Sequence, residues 1–185
     1  MRPLVLDMVE HDGGVVFTRF DHGGYNLNLV LERRPWVAGV FESRLHCVYR
    51  NALGYWTEHI WAATGWPGVP GLRQPVRPEG CAILATGQHR GAWMVGLHRG
   101  KRALIQTGAQ VDVWRDNNKD GKPDPGGERH RGWFGVNVHV AGAGTDGGLG
   151  CCMLSHLDDQ LALMDLCDRA AARWGDRFTV TVLEA

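Results

Sequence analysis

The chain has no excess of charge, no long apolar run and no cysteine framework, and each absence removes a class of function. Its 20 Lys and Arg residues balance 20 Asp and Glu across 185 residues. Polyanion binding through counterion release needs a basic face, so nucleic acid is not an expected partner. No stretch approaches the roughly 18 apolar residues of a membrane span. The opening Met1-Arg2-Pro3-Leu4-Val5-Leu6-Asp7 lacks the apolar core of about 7–15 residues that marks a signal peptide. An extracytoplasmic target therefore implies release by lysis, a dedicated secretion route, or a sequence that is a piece of a longer one. The five cysteines are odd in number and show no repeated C-x-x-C spacing, which excludes a disulfide framework or a zinc ribbon. A bridge between the neighbours Cys151 and Cys152 would be strained, so at least one thiol is free.

What is present is glycine, 26 residues of it, set beside short apolar runs in the manner of many short strands. Strands are predicted over Gly14–Phe20, Asn26–Leu31, Val37–Phe41, Leu45–Arg50, Tyr55–Ala62, Ala82–Thr86, Trp93–His98, Ala103–Gln106, Val111–Trp114, Phe134–Val140 and Phe178–Leu183. From Trp66 to Gly80, Pro67, Pro70, Pro75 and Pro78 exclude regular pairing. One helix is predicted, Leu157 to about Trp174, from an apolar stripe through Leu157, Leu161, Met164, Cys167, Ala171 and Trp174. Ser155 reads as its N-cap with Asp158 in capping-box position, and Gly175 as its stop. The expectation is a single, mainly-β domain over 1–185 with one substantial C-terminal helix.

The informative stretch is Gly135-Val136-Asn137-Val138-His139, a glycine-rich loop over Ala141–Gly148, then Leu149-Gly150-Cys151. A thiol attacks a carbonyl as thiolate, and a nearby imidazole can take its proton. His139 as base and Cys151 as nucleophile fit that chemistry. Gly150 permits a tight turn whose backbone N–H groups can serve as oxyanion donors.

This order of His, short loop, Gly-Cys, helix and closing strand resembles the catalytic core of the YkuD-type L,D-transpeptidases, from about Trp93 to the C-terminus. Arg115-Asp116-Asn117-Asn118-Lys119-Asp120-Gly121 and Gly135–His139 also resemble the "RD-N-x-DG … G-x-N-x-H" pattern of divergent, often phage-encoded members. The resemblance implies a β-sandwich of mixed sheets with the cysteine in a groove. It assigns the catalytic core to 93–185 and leaves additional strands and the Pro-rich loop to 1–92. It further implies acyl transfer or hydrolysis on peptidoglycan stem peptides, with no required cofactor, at the cell wall (periplasm or exterior). The nucleophile and base carry over. The substrate-binding shell does not: Val140 replaces a Gly, Gly148 and Leu149 replace Ser and His, and Met153 replaces an Arg.

Other residues invite a role. His98, Arg115 and Asn137 are candidates for substrate contact, and Arg50 or Arg115 can meet a carboxylate bidentately. Asp116, Asn118, Asp120 and Asp124 have calcium-loop spacing, with Gly121 at the turn position. Gly127 stands where the bidentate Glu belongs, so a structural calcium competes with a plain polar turn. His89, His98, His130 and His156 could join His139 only in a zinc peptidase, and none has the tight helical spacing of a zinc hydrolase. Among the eight tryptophans, Trp56, Trp61, Trp66, Trp93 and Trp133 suit either core or a glycan-stacking face. The rival from another class is a non-catalytic wall-binding or phage structural module on the same fold.

Overall fold

A computed structural model describes residues 1–142 and 148–185. The chain is mainly β, with mixed sheets and one substantial C-terminal helix, as the sequence leads one to expect. Eleven strands are found among the described residues, in two sheets. The larger closes on itself in the order β1 (Asn28–Arg33), β11 (Arg177–Glu184), β5 (Gly87–His98), β6 (Lys101–Ile105), β9 (Val138–Val140), β10 (Cys152–Leu154), β3 (Trp56–Ala63), β2 (Ser43–Arg50). Closure removes the exposed edge that an open sheet must protect. The pairs β1–β11 and β9–β10 are parallel and the others antiparallel. The smaller sheet is β4 (Cys81–Leu84), β7 (Val111–Asp116) and β8 (His130–Gly132). Leu84, Val111 and Val113 from it share one core with Leu29, Leu31, Trp93 and Leu104.

Strand β1 is buried on both faces. Leu29 and Leu31 face the main core, while Val30 packs under the N-terminal helix α1 (Leu4–His11) with Val5, Leu6 and Val9. Two apolar turns with no side-chain cap leave little sequence signal, and α1 is absent from the sequence reading. Within the Pro-rich segment the chain forms a short helix, α2 (Val69–Arg73).

Two predicted strands are not strands. Over Gly14–Phe20 the backbone is held by side-chain amides: Gln88 bonds both N–H and C=O of Val15, and Asn28 does the same for Phe17. These bonds replace a ladder. Val37–Phe41 follows Pro35-Trp36 and turns at Gly39, whose φ is +73°, leaving Val37 and Val40 exposed. Only Val138–Val140 of the predicted Phe134–Val140 strand is paired.

Helix α3 (Leu157–Trp174) has the predicted span and ends at Gly175, φ +95°. Its buried stripe is rotated from the predicted one. Leu163, Met164, Leu166, Cys167 and Ala170 are buried, whereas Leu157 and Leu161 are 50% and 57% exposed. Ser155 is not the cap. Its N–H still bonds Ala62 O at the end of β10, so the cap falls to His156, without a side-chain bond. Leu163→Ala should therefore cost about 2–5 kcal/mol, and Leu161→Ala less than about 0.5 kcal/mol, in denaturant unfolding. Equal costs would show that the stripe lies as the sequence pattern suggested.

Candidate active site

The site forms where β9 and β10 lie side by side. Their parallel register pairs Cys152 with Val138 and Met153 with His139. Side chains alternate across a strand, so Val136, Val138, Cys152 and Leu154 enter the core while His139, Cys151 and Met153 line a pocket of about 350 Å³. This alternation separates the two adjacent thiols. Cys152 is buried and its thiol is pushed up to about 12; Cys151 is partly exposed. Most of the glycine-rich loop predicted over Ala141–Gly148 lies outside the described residues.

The Cys151 turn is fixed from three sides. Gly150 has φ +106°, and a Cβ there would collide with the carbonyl oxygen of Ala82 on β4, so only glycine fits. Thr64, 4% exposed, donates its hydroxyl to Cys151 O at 3.3 Å and accepts from Met153 N at 3.0 Å. Gln106 gathers the N–H groups of Phe134 and Gly135 on its Oε1, each at 2.9 Å. That leaves the Gly135 carbonyl to take the Cys151 S–H at 3.5 Å, while the Asn137 N–H donates to Sγ at 3.4 Å. Trp93, fully buried, holds Val136 O with its indole N–H at 2.7 Å. Among the described residues, neither Gly150 nor Cys151 donates its backbone N–H to a protein acceptor; Cys151 lines the pocket, and Gly150 stands behind it against β4.

The imidazoles are oriented by their partners. His139 Nδ1 lies 2.8 Å from Val140 O, which assigns the proton to Nδ1 and leaves Nε2 as a base. The Asn137 side-chain oxygen accepts from Gln106 N at 2.9 Å, so its amide nitrogen is the donor to His98 Nδ1, 3.1 Å away. His98 stacks on His139 at 4.2 Å between centroids. Burial pushes His139 below the ordinary imidazole range, the Val140 bond opposes this, and His98 and Arg99 add to it. Burial pushes the Cys151 thiol up, against the Asn137 N–H and Arg99. Both effects favour a neutral thiol beside a neutral imidazole, and no hydrogen bond joins them in this structure.

The other candidates divide. His98 and Arg115 line the pocket; Asn137 is buried and acts through His98 and Gln106. Arg50 lies away from the pocket, over Phe20 and bonded to Gly54 O. His89 is buried against Ala85 O, and His130 and His156 are exposed on β8 and at the α3 cap. Among the described residues no three His, Cys, Asp or Glu side chains converge as metal ligands. In the 116–124 loop Asn118 and Asp120 accept N–H bonds from Asp120 and Lys122, and Asp116 one from Asp124. The second oxygen of Asp116 is buried without a partner, yet the three carboxylates do not gather into a cation cage. Trp93 and Trp61 are core, while Trp133 is 56% exposed. Thr64 and Gln106 escaped the sequence reading, since their bonds join distant segments and leave no local pattern.

No protein-family model matches the chain, and no curated protein or solved structure does either.

Two measurements probe this geometry. Gly150→Ala should lose at least about 2 kcal/mol from the left-handed strain and the Ala82 collision; a variant as stable as its parent would remove that contact as the lock on the turn. In native protein, iodoacetamide should label Cys151 ahead of the four buried thiols, at a rate that climbs through the alkaline range. Labelling already maximal near pH 6, about where an imidazole titrates, would reveal a stored thiolate–imidazolium pair instead.

Proposed function

We propose that the chain is a cysteine-dependent acyltransferase or hydrolase of the L,D-transpeptidase type, acting on the peptide stems of bacterial peptidoglycan at the cell wall. The observation that carries the reading is the shared pocket of Cys151 and His139, with the His139 Nδ1 proton engaged by Val140 O. A nucleophile, a base and a group that orients the base are the parts that covalent acyl transfer needs. The substrate class rests on the resemblance of Arg115–Gly121 and Gly135–His139 to the transpeptidase pattern.

The chemistry follows from these parts. His139 Nε2 takes the Cys151 proton as sulfur attacks the carbonyl at the L-centre of the third stem residue. A C–S bond forms, and the backbone N–H groups of Gly150 and Cys151 hold the negative oxygen. The imidazolium returns the proton to the departing amine as the C–N bond breaks, leaving a thioester. An acceptor amine or water then attacks, gives its proton to His139 and releases the thiol. Amine attack is cross-linking; water attack is carboxypeptidase or endopeptidase cleavage.

The test compares wild type, Cys151→Ala, His139→Ala and Cys152→Ala on purified muropeptides, with products read by mass spectrometry. Wild type and Cys152→Ala should give the same trimmed or cross-linked stems. Cys151→Ala and His139→Ala should lose about 10³-fold or more in rate. Identical products from wild type and Cys151→Ala would sink the cysteine mechanism.

A further inference from the structure

Among the described residues, the walls of the pocket around Cys151 carry three guanidinium groups, Arg77, Arg99 and Arg115, and no Asp or Glu, in a chain whose overall charge is zero. Arg115 is already held, donating to Gly80 O at 2.9 Å and lying over Phe134. Arg77 and Arg99 are exposed, and among the described residues neither side chain forms an ion pair or hydrogen bond. Unpaired cations gathered in a concave, partly apolar site are the complement of an anionic ligand.

Arg99 is the more telling of the two because its backbone works against it. His98 pairs with Lys101 across β5 and β6, so Arg99-Gly100 is a two-residue hairpin loop. Both residues have positive φ, +49° and +79°, the type I′ pattern in which Asn-Gly is favoured. A side chain with a Cβ is strained there, and Asn or Gly relieves the strain. The turn chemistry alone therefore selects against Arg. Arg99 lines the same pocket as Cys151, His98 and His139, where its charge favours the thiolate and disfavours protonation of the two imidazoles. An arginine at a strained turn on the wall of the pocket that holds Cys151 has the mark of a ligand contact.

We propose that Arg99, with Arg77 on the loop after α2, binds a carboxylate of the substrate peptide beside the scissile bond, so that the site selects acidic peptides. The identity of that peptide as a wall stem rests on the function proposed above; the selection of an anion does not. The carboxylate is either the C-terminal one or a side-chain one, since guanidinium recognises both alike. Met153, where the resemblance leads one to expect Arg, is 2% exposed and not available for this contact. Recognition has moved from β10 to the hairpin tip.

The test uses Cys151→Ala protein, so that binding is read without turnover, and isothermal titration with four synthetic probes. These are a stem tetrapeptide, the same peptide amidated at its C-terminus, the same amidated at its side-chain carboxylates, and an unrelated acidic tripeptide. One of the two amidations should weaken binding about tenfold or more, as loss of a charged hydrogen-bonded pair does, and it identifies the carboxylate read. Adding Arg99→Asn should weaken the acid form equally and abolish its advantage over that amide. The melting temperature of the Asn variant should be unchanged or higher. Equal affinity for acid and amide forms, or an Arg99→Asn variant that binds as tightly as its parent, overturns the inference while leaving the wall reading intact. Tetrapeptide binding no tighter than the acidic tripeptide's, still lost in Arg99→Asn, upholds anion selection and removes the wall stem as its target. Lost affinity accompanied by a lowered melting temperature returns Arg99 to a structural role and also overturns it.

Discussion

The parallel pairing of β9 with β10, each only three residues long, is the constraint on which the candidate site depends. A strand presents alternate residues to opposite faces, so a slip of one residue would exchange them. Cys152 would enter the pocket and Cys151 the core, and His139 would lose its place opposite Met153. Two such short strands cannot hold a register alone. It is held by the core contacts of Val138, Cys152 and Leu154, by Thr64 bridging Cys151 and Met153, and by the contact of Gly150 with Ala82. Closure of the large sheet supplies β3 and β6 as the outer neighbours of the pair, so neither strand has a free side on which to slide.

The same arrangement sets the protonation state of the pair. Burial costs both charged forms, and the Asn137 N–H, the Val140 carbonyl and Arg99 each oppose or add to that cost. For the thiol, burial outweighs the two groups that favour thiolate. For His139, burial outweighs the single bond that favours imidazolium, and the stacked His98 works in the same direction as burial. Both directions favour the neutral forms of Cys151 and His139. In the cysteine mechanism proposed above, proton transfer then belongs to the attack itself, with the imidazole in the form a base requires.

How much of this was legible in the sequence depended on the range of the interactions. Helix α3 was legible in span because helix period and the Gly175 stop are local signals. Its buried stripe was not, because Leu157 and Leu161 share the period with Leu163 and Met164, and only the packing partner decides between faces. The placement of Cys151 and His139 was read from an order of residues, and the two line one pocket with no hydrogen bond between them. Its supports were not: Gln106 and Thr64 bond remote backbone through their side chains, and such bonds have no spacing to read. Strand β10 was hidden for a related reason. Three residues have no measurable alternation, and Ser155 beside them carries the appearance of a helix cap.

A division of labour follows from where the side chains originate. The proposed base, His139, stands on β9 and the proposed nucleophile, Cys151, immediately before β10, where the paired strands of the closed sheet fix both. The unpaired arginines stand on a hairpin tip and on the loop after α2, where substitution disturbs little packing. Position 153 bears on where the proposed recognition can sit. Its side chain is buried at the pocket wall, and the N–H and C=O of its backbone are both bonded to Thr64, so a guanidinium there would start from a desolvated position. Desolvating such a charge without a fixed partner costs several kcal/mol, more than a surface hairpin loses by carrying an arginine at positive φ, about 1–2 kcal/mol. On those magnitudes the hairpin is the cheaper place for the cation that the proposed carboxylate contact requires.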